Sequence, residues 1–165
     1  MQKIMVIGCP GAGKSTFSRA LQGKIGLPLF HLDMLFWNCD KTNVSREEFD
    51  QKLSDILKQD KWIIDGNYGR TLEMRLKECD TVFLLDFPVS VCLSGVELRI
   101  GKPREDMPWI EQEFDVDFKE WIIKFPQKEL PHVYELLEKY KDKDVIIFKS
   151  HEEINAYLEK LQIAE

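Results

Sequence analysis

"KIMVIGCPGAGKSTF", residues 3–17, changes character twice along its length. Residues 3–7 form a short apolar run that reads as a buried strand. "GCPGAGKS" (8–15) then matches GxxxxGK[ST] in full. Beyond it Phe17, Ala20, Leu21 and Lys24 fall at helical spacing, with Gly26 as the expected stop. A strand, a glycine-rich turn and a helix in that order can fold backbone N–H groups around phosphates and aim the positive end of the helix at them. In this pattern the lysine reaches the β and γ phosphates and the hydroxyl after it ligates Mg²⁺. Gly8, Gly11, Ala12, Gly13, Lys14, Ser15 and Thr16 are therefore the expected nucleotide-binding residues, with Ser15 on the metal. Cys9 occupies a variable position and reads as a small buried side chain.

The same alternation continues outward. "LPLFHL" (27–32) is a second strand, and Ser45 with Glu48 forms a capping box opening a helix whose Phe49, Leu53, Ile56 and Leu57 share one face. "KWIID" (61–65) is the third strand, and Leu72, Leu76 and Cys79 line the next helix. "TVFLLD" (81–86) is the fourth, followed by Val89, Leu93, Val96 and Ile100 at helical spacing. "GKPREDMP" (101–108) breaks the pattern with a glycine and two prolines. Helices are predicted over about 115–125 and 131–141, a fifth strand over 144–149, and a second capping box at Ser150 and Glu153 opens the last helix. Strands that are continuously apolar and separated by helices argue a parallel sheet covered on both faces. The spacing predicts one domain over 1–165, with no repeat or linker.

Composition narrows the classes. Of 165 residues, 44% are hydrophobic and 32% charged, and the formal net charge is −6. That balance offers no general attraction to DNA or anionic membranes, so no direct nucleic-acid or membrane partner is expected. No apolar run is long enough to span a bilayer, and the start lacks a signal peptide's features. Cys9, Cys39, Cys79 and Cys92 lie far apart with no CxxC pair, so neither a zinc site nor a disulfide framework is expected, and a reducing cytoplasm is the default location.

Two apolar runs end in aspartate, Asp65 in "WIID" and Asp86 in "FLLD". Either could orient the metal, and spacing alone does not separate them.

"MVIGCPGAGKST", "FHLDMLFW", "WIIDGNYGRTLEMRL", "DTVFLLDFP" and "RIGKPREDMP" together resemble the topology modulation proteins, small P-loop proteins similar to adenylate kinase and other nucleotide or small-metabolite kinases. The resemblance runs from Lys3 to the last helix. It implies an adenylate-kinase-type α/β fold of three layers: a five-stranded parallel sheet in order 2-3-1-4-5, flanked by helices, with a short lid over about 101–117. It implies ATP and Mg²⁺ as ligands and a small-molecule acceptor as partner, and it favours Asp65 over Asp86 at the metal. Arg99 and Arg104 look like lid arginines that meet the charge of a transferring phosphoryl group. The chain reads "KFPQKELP" (124–131) where the family would carry more arginines, leaving Lys124 and Lys128. Arg70 and Arg75 are weaker acceptor-phosphate candidates, equally readable as surface salt-bridge residues. His132 and His151 read as solvent-facing, His31 as a strand-end histidine in preference to one that orients its neighbour Asp33, and Trp109 as a base-stacking or covering residue.

Asp33, alone among apolar side chains in "HLDMLFW" (31–37), has two readings. It either caps the following helical turn or faces the acceptor pocket and takes the proton of an acceptor hydroxyl, with Leu35, Phe36 and Trp37 walling that pocket. The second is favoured. Three function classes follow: an ATP-dependent kinase for a nucleoside monophosphate or hydroxyl metabolite, a nucleotide-binding regulator acting indirectly on DNA topology, and a DNA-acting protein. The charge balance disfavours the last.

Overall fold

The computed structural model describes residues 1–161. β1 (Lys3–Gly8) lies at the centre of a five-stranded sheet, with β3 (Trp62–Asp65) and β2 (Leu29–His31) on one side and β4 (Thr81–Leu85) and β5 (Asp144–Phe148) on the other. Every pairing is parallel. The order is the expected one, 2-3-1-4-5. Successive side chains of β1 point to opposite faces, and both faces are dry. Ile4 and Val6 join Phe17 and Leu21 of α1 (Lys14–Ile25), Cys92 and Val96 of α5 (Val89–Arg99), Ile122 and Phe125 of α6 (Val116–Lys128) and Ile154 of α8 (His151–Lys160). Met5 and Ile7 join Leu53 of α3 (Arg46–Leu57), Leu72 and Leu76 of α4 (Leu72–Glu78) and Leu136 of α7 (Leu130–Lys139). This two-sided burial is why the strands read as unbroken apolar runs.

Local signals set the element ends. Ser45 Oγ accepts the Glu48 N–H at 3.1 Å and Ser150 Oγ accepts the Glu153 N–H at 3.3 Å, so both capping serines act as expected. Gly26 ends α1 at φ 70°. Two boundaries differ from the sequence expectation. The second strand stops at His31, because Leu32 is fully buried and the chain turns there into the short α2 (Leu32–Phe36). The helices predicted over 115–125 and 131–141 are nearly continuous, with only Glu129 between α6 and α7. Pro126 lies inside α6. Burial of Ile122 and Phe125 on one side and of Val133 and Leu136 on the other holds the chain helical where proline alone argues for a break.

The order also fixes where ligands go. The chain leaves β1 toward β2 first and later crosses to β4, so β1 is the switch point, and crevices form outside the carboxyl ends of such strands. Gly8, Asp65 and His31 all lie at that end. No helix among the described residues is long and apolar enough to cross a membrane.

Candidate functional site

The loop after β1 is held by close backbone approach. A Cβ on Gly11 would sit 1.9 Å from the Cys92 carbonyl oxygen, so the loop apex lies directly against α5 and no side chain fits between. Gly13, at φ 95°, is the N-cap of α1, and a Cβ there would lie 3.5 Å from His151 Nε2, an ordinary contact distance. Gly13, Lys14, Ser15 and Thr16 line the cleft with Gly11. Gly8 and Ala12 stand behind the loop: the Gly8 N–H donates to Asn67 Oδ1 at 3.0 Å, and Ala12 is fully buried. The Lys14 ammonium curls inside, donating to the Gly8 carbonyl at 2.8 Å and the Cys9 carbonyl at 3.2 Å. Loss of solvent pushes its pKa down, against the nearby charges of Asp65 and Asp33.

Three aspartates gather around this loop. Asp65, buried at the end of β3, accepts from His31 Nδ1 at 2.8 Å. Burial pulls the His31 pKa down, but the hydrogen bond and charge of Asp65 outweigh it, and the net direction is up. His31 therefore holds Asp65, a more specific task than that of a strand-end residue. Asp33, in the first turn of α2, accepts the Tyr68 hydroxyl at 2.5 Å. Its carboxylate is taken up by that phenol and not by a backbone N–H of the helix start. Burial raises the Asp33 pKa despite the opposing effects of Tyr68 and Lys14.

Tyr68 reaches Asp33 from an unusual backbone. It sits at φ 35°, in the left-handed region that a bulky residue enters only when its surroundings impose it. Arg75 imposes it. Fully buried on α4, its guanidinium donates to the carbonyls of Gly66 at 2.9 Å, Tyr68 at 3.2 Å and Thr71 at 3.3 Å, and to that of Asn67. Burial pushes the Arg75 pKa down to about 9. Arg70 turns the other way and forks onto Asp50 at 3.0 and 2.6 Å. Neither arginine faces the cleft.

The third aspartate arrives from the lid. Between α5 and α6 the chain has no helix or strand, and it folds down onto the loop. Asp106 accepts the Ser15 hydroxyl at 2.9 Å and is buried. Arg99 forks onto Glu111 at 2.9 and 3.0 Å, and Arg104 lies 3.8 Å from Asp106 and 3.7 Å from Glu111. Trp109 meets Trp37 edge to face at 5.7 Å, so the lid touches both the P-loop and the chain after α2. Asp106 was missed by sequence reasoning. The signal was its place two residues after Arg104 in a segment already read as a lid, where attention went to the cations alone.

Asp86, Lys124 and Lys128 fall outside the cleft, and His132 and His151 lie along its lining. Asp86 pairs with Lys149 and accepts the Tyr134 hydroxyl at 2.6 Å, away from the cleft. Lys124 pairs with Glu120 on the surface, and Lys128 is exposed. His132 is exposed, as expected. His151 is more engaged than its sequence position suggests: Nε2 lies 3.3 Å from the Ala12 carbonyl and the ring packs on Phe87 at 4.7 Å.

Lys14, Ser15, Asp33, Asp65, Arg99, Arg104 and Asp106 thus line one cleft of about 1470 Å³. A single drug-sized ligand needs roughly 300–1,000 Å³, so there is room for two. Mg²⁺ takes one or two protein oxygens and completes its shell with water and phosphate. The Ser15 hydroxyl with the Asp65 and Asp106 carboxylates supplies donors of that kind.

The fold matches solved structures along nearly its whole length. A sugar kinase from Janibacter sp. HTCC2649 superposes with a TM-score of 0.54 at 14% identity, covering 99% of this chain and 96% of that one. Shikimate kinase from Bacteroides thetaiotaomicron gives 0.53 at 16% identity, with 96% and 94% covered. The fold is that of the P-loop kinases. In sequence, adenylate kinase from Thermotoga neapolitana is 28% identical over 88 residues, which are 52% of this chain and 39% of that protein. The chain thus matches well under half the length of that curated relative. No protein-family model matches the chain.

Proposed function

We propose that the protein is an ATP-dependent kinase that transfers the γ-phosphoryl group to a hydroxyl of a small molecule. One observation carries this reading: a half-buried carboxylate whose pKa is raised by loss of solvent, Asp33, shares a cleft with the P-loop lysine and two lid arginines. Phosphoryl transfer needs little covalent chemistry from a protein and depends on positioning and charge stabilisation. Gly13, Lys14, Ser15 and Thr16 hold the nucleotide phosphates. Arg99 and Arg104, kept over the loop by Glu111 and Asp106, face the charge that spreads over the γ oxygens. Asp33 aligns the acceptor hydroxyl and takes its proton, a task that suits an acid whose pKa burial has raised. When bound, Mg²⁺ neutralises phosphate charge, with Ser15 and Asp65 as its protein partners and Asp106 as a further donor beside Ser15.

The alternative, a nucleotide-binding regulator acting indirectly on DNA topology, needs no acceptor residue, and Asp33 would then have no task beyond holding the Tyr68 hydroxyl. A screen of MgATP consumption against nucleoside monophosphates and neutral or acidic hydroxyl metabolites tests the proposal. Acceptor-dependent ADP with a matching phosphorylated product is the expected result. Tight MgATP binding with no acceptor-dependent turnover across the panel would leave the regulatory reading.

A further inference from the structure

One turn reaches both the phosphate side and the acceptor side of the cleft, and a side chain outside the cleft holds that turn. We infer that Arg75 is a positioning residue: by fixing turn 66–68 it sets where Asp33 stands relative to the P-loop. The linkage is one of geometry, and the use of Asp33 in transfer rests on the kinase reading above.

The turn meets the site at three points. Gly66 directly follows Asp65 at the end of β3. Asn67 Oδ1 accepts the Gly8 N–H at 3.0 Å, at the root of the P-loop. The Tyr68 hydroxyl donates to Asp33 at 2.5 Å. The turn is also pressed against the start of α2, because a Cβ on Gly66 would lie 2.9 Å from the Cβ of Leu32, the residue before Asp33. Its backbone is unusual twice, at φ 131° in Gly66 and φ 35° in Tyr68. A tyrosine does not enter that region by its own preference.

Arg75 supplies what the local sequence does not. Its side chain is fully buried on α4 and does not line the cleft. Its hydrogen-bond partners are all carbonyl oxygens: those of Gly66, Asn67 and Tyr68, which make up the turn, and that of Thr71. A planar guanidinium holds its N–H groups in a fixed fork and can span successive carbonyls, whereas a lysine ammonium is a point charge with rotating donors. Well-packed apolar residues often replace buried charged groups without loss of stability, so stability alone is a weak reason for a guanidinium here. The shape of the turn is a specific one. From Arg75 one path of contacts runs through Asn67 to Gly8, and another through Tyr68 to Asp33. No proton moves along either path; Arg75 acts by holding the two ends in register.

Purified protein carrying ¹³C at the tyrosine Cζ reads the linkage directly. The chain has four tyrosines, so the Tyr68 resonance is the one that Tyr68→Phe removes. Asp33→Asn should shift it, and Arg75→Lys should shift it by at least half as much. Arg75→Met, which fills the space without the fork, is a second variant with the same expectation. Should neither fold, the wild-type protein decides: the Arg75 guanidinium protons should exchange with deuterated water at least tenfold more slowly than those of exposed Arg46. Kinetics with MgATP and the best-used member of the acceptor panel above read the consequence. Arg75→Lys should lower kcat by about tenfold or more while the KM for ATP changes less than threefold. In the Tyr68→Phe background the same substitution should lower kcat by less than threefold, because the hydroxyl through which Arg75 acts is already gone. An unmoved Tyr68 resonance in a folded Arg75 variant, Arg75 protons that exchange as fast as those of Arg46, or an undiminished loss in the Tyr68→Phe background would overturn the inference and leave the kinase reading standing. A shifted resonance with no acceptor-dependent turnover across the panel would uphold the linkage and remove the kinase reading.

Discussion

The two halves of the cleft are built by different means. The phosphate half is almost all backbone: a contiguous loop, residues 8–16, whose shape comes from glycines and from a helix start. The acceptor half is all side chain. Asp33, Phe36 and Trp37 come from α2 and the residue after it, Tyr68 from the turn after β3, and Trp109 from the lid. A backbone site is generic and serves any nucleoside triphosphate. A site assembled from distant side chains is where one kinase differs from another.

That contrast can be broken experimentally. Asp33→Asn keeps the shape and can still accept from Tyr68, but it cannot take a proton. Transfer should fall by roughly 10²–10⁴-fold with MgATP affinity unchanged, as measured by single-turnover kinetics and calorimetry. Equal losses of binding and rate would mean that the halves are not separable. Next, Arg99→Ala and Arg104→Ala should each lower kcat by about 10²-fold, more than they raise the KM for ATP. Normal kinetics in both would return these arginines to the lid's internal ion pairs.

Lys14→Ala acts on the backbone half and should weaken MgATP binding by about tenfold or more, the value of one charged hydrogen bond. Unchanged affinity on titration would remove the nucleotide site itself. The smallest change sharpens the acceptor half. The Tyr68 hydroxyl lowers the Asp33 pKa against burial, so Tyr68→Phe should raise that pKa further. Asp33 acts as a base only when ionised, so activity is lost as pH falls through its pKa. In Tyr68→Phe the acid limb of the kcat–pH profile should therefore move to higher pH, with the alkaline side unmoved. An acid limb that stays put would mean that another group sets it.

The same contrast explains what the sequence could reveal. The P-loop was legible because its parts are adjacent and each residue type has one reason to be there. The strands were legible because burial on both faces leaves unbroken apolar runs, and the acids at strand ends stood out against them. Sheet order came from the resemblance, since periodicity says which face is buried and not which strand lies next to which. The side-chain pairings between distant segments were not legible. Ser15 and Asp106 are 91 residues apart in the chain, and Tyr68 and Asp33 are 35 apart. Nothing local announces that Arg75 will be buried to satisfy carbonyls, or that a tyrosine will take a positive φ. Side-chain pairs between loops depend on how the loops meet, which no single segment encodes.

The contact between Gly11 and the Cys92 carbonyl has a mechanical consequence. With no room for even a methyl group between loop and helix, α5 is seated against the P-loop like a shaft in a bearing. It cannot tilt or slide without driving its backbone into the loop. On the proposed kinase reading, lid opening would then pivot beyond the helix, where Gly101 with φ 74° offers a joint. Arg99, the last residue of α5, stays on the stationary side of that joint, and Arg104 swings with the moving one. If both arginines serve the phosphates as proposed, Arg99 is a fixed jaw and Arg104 a travelling one.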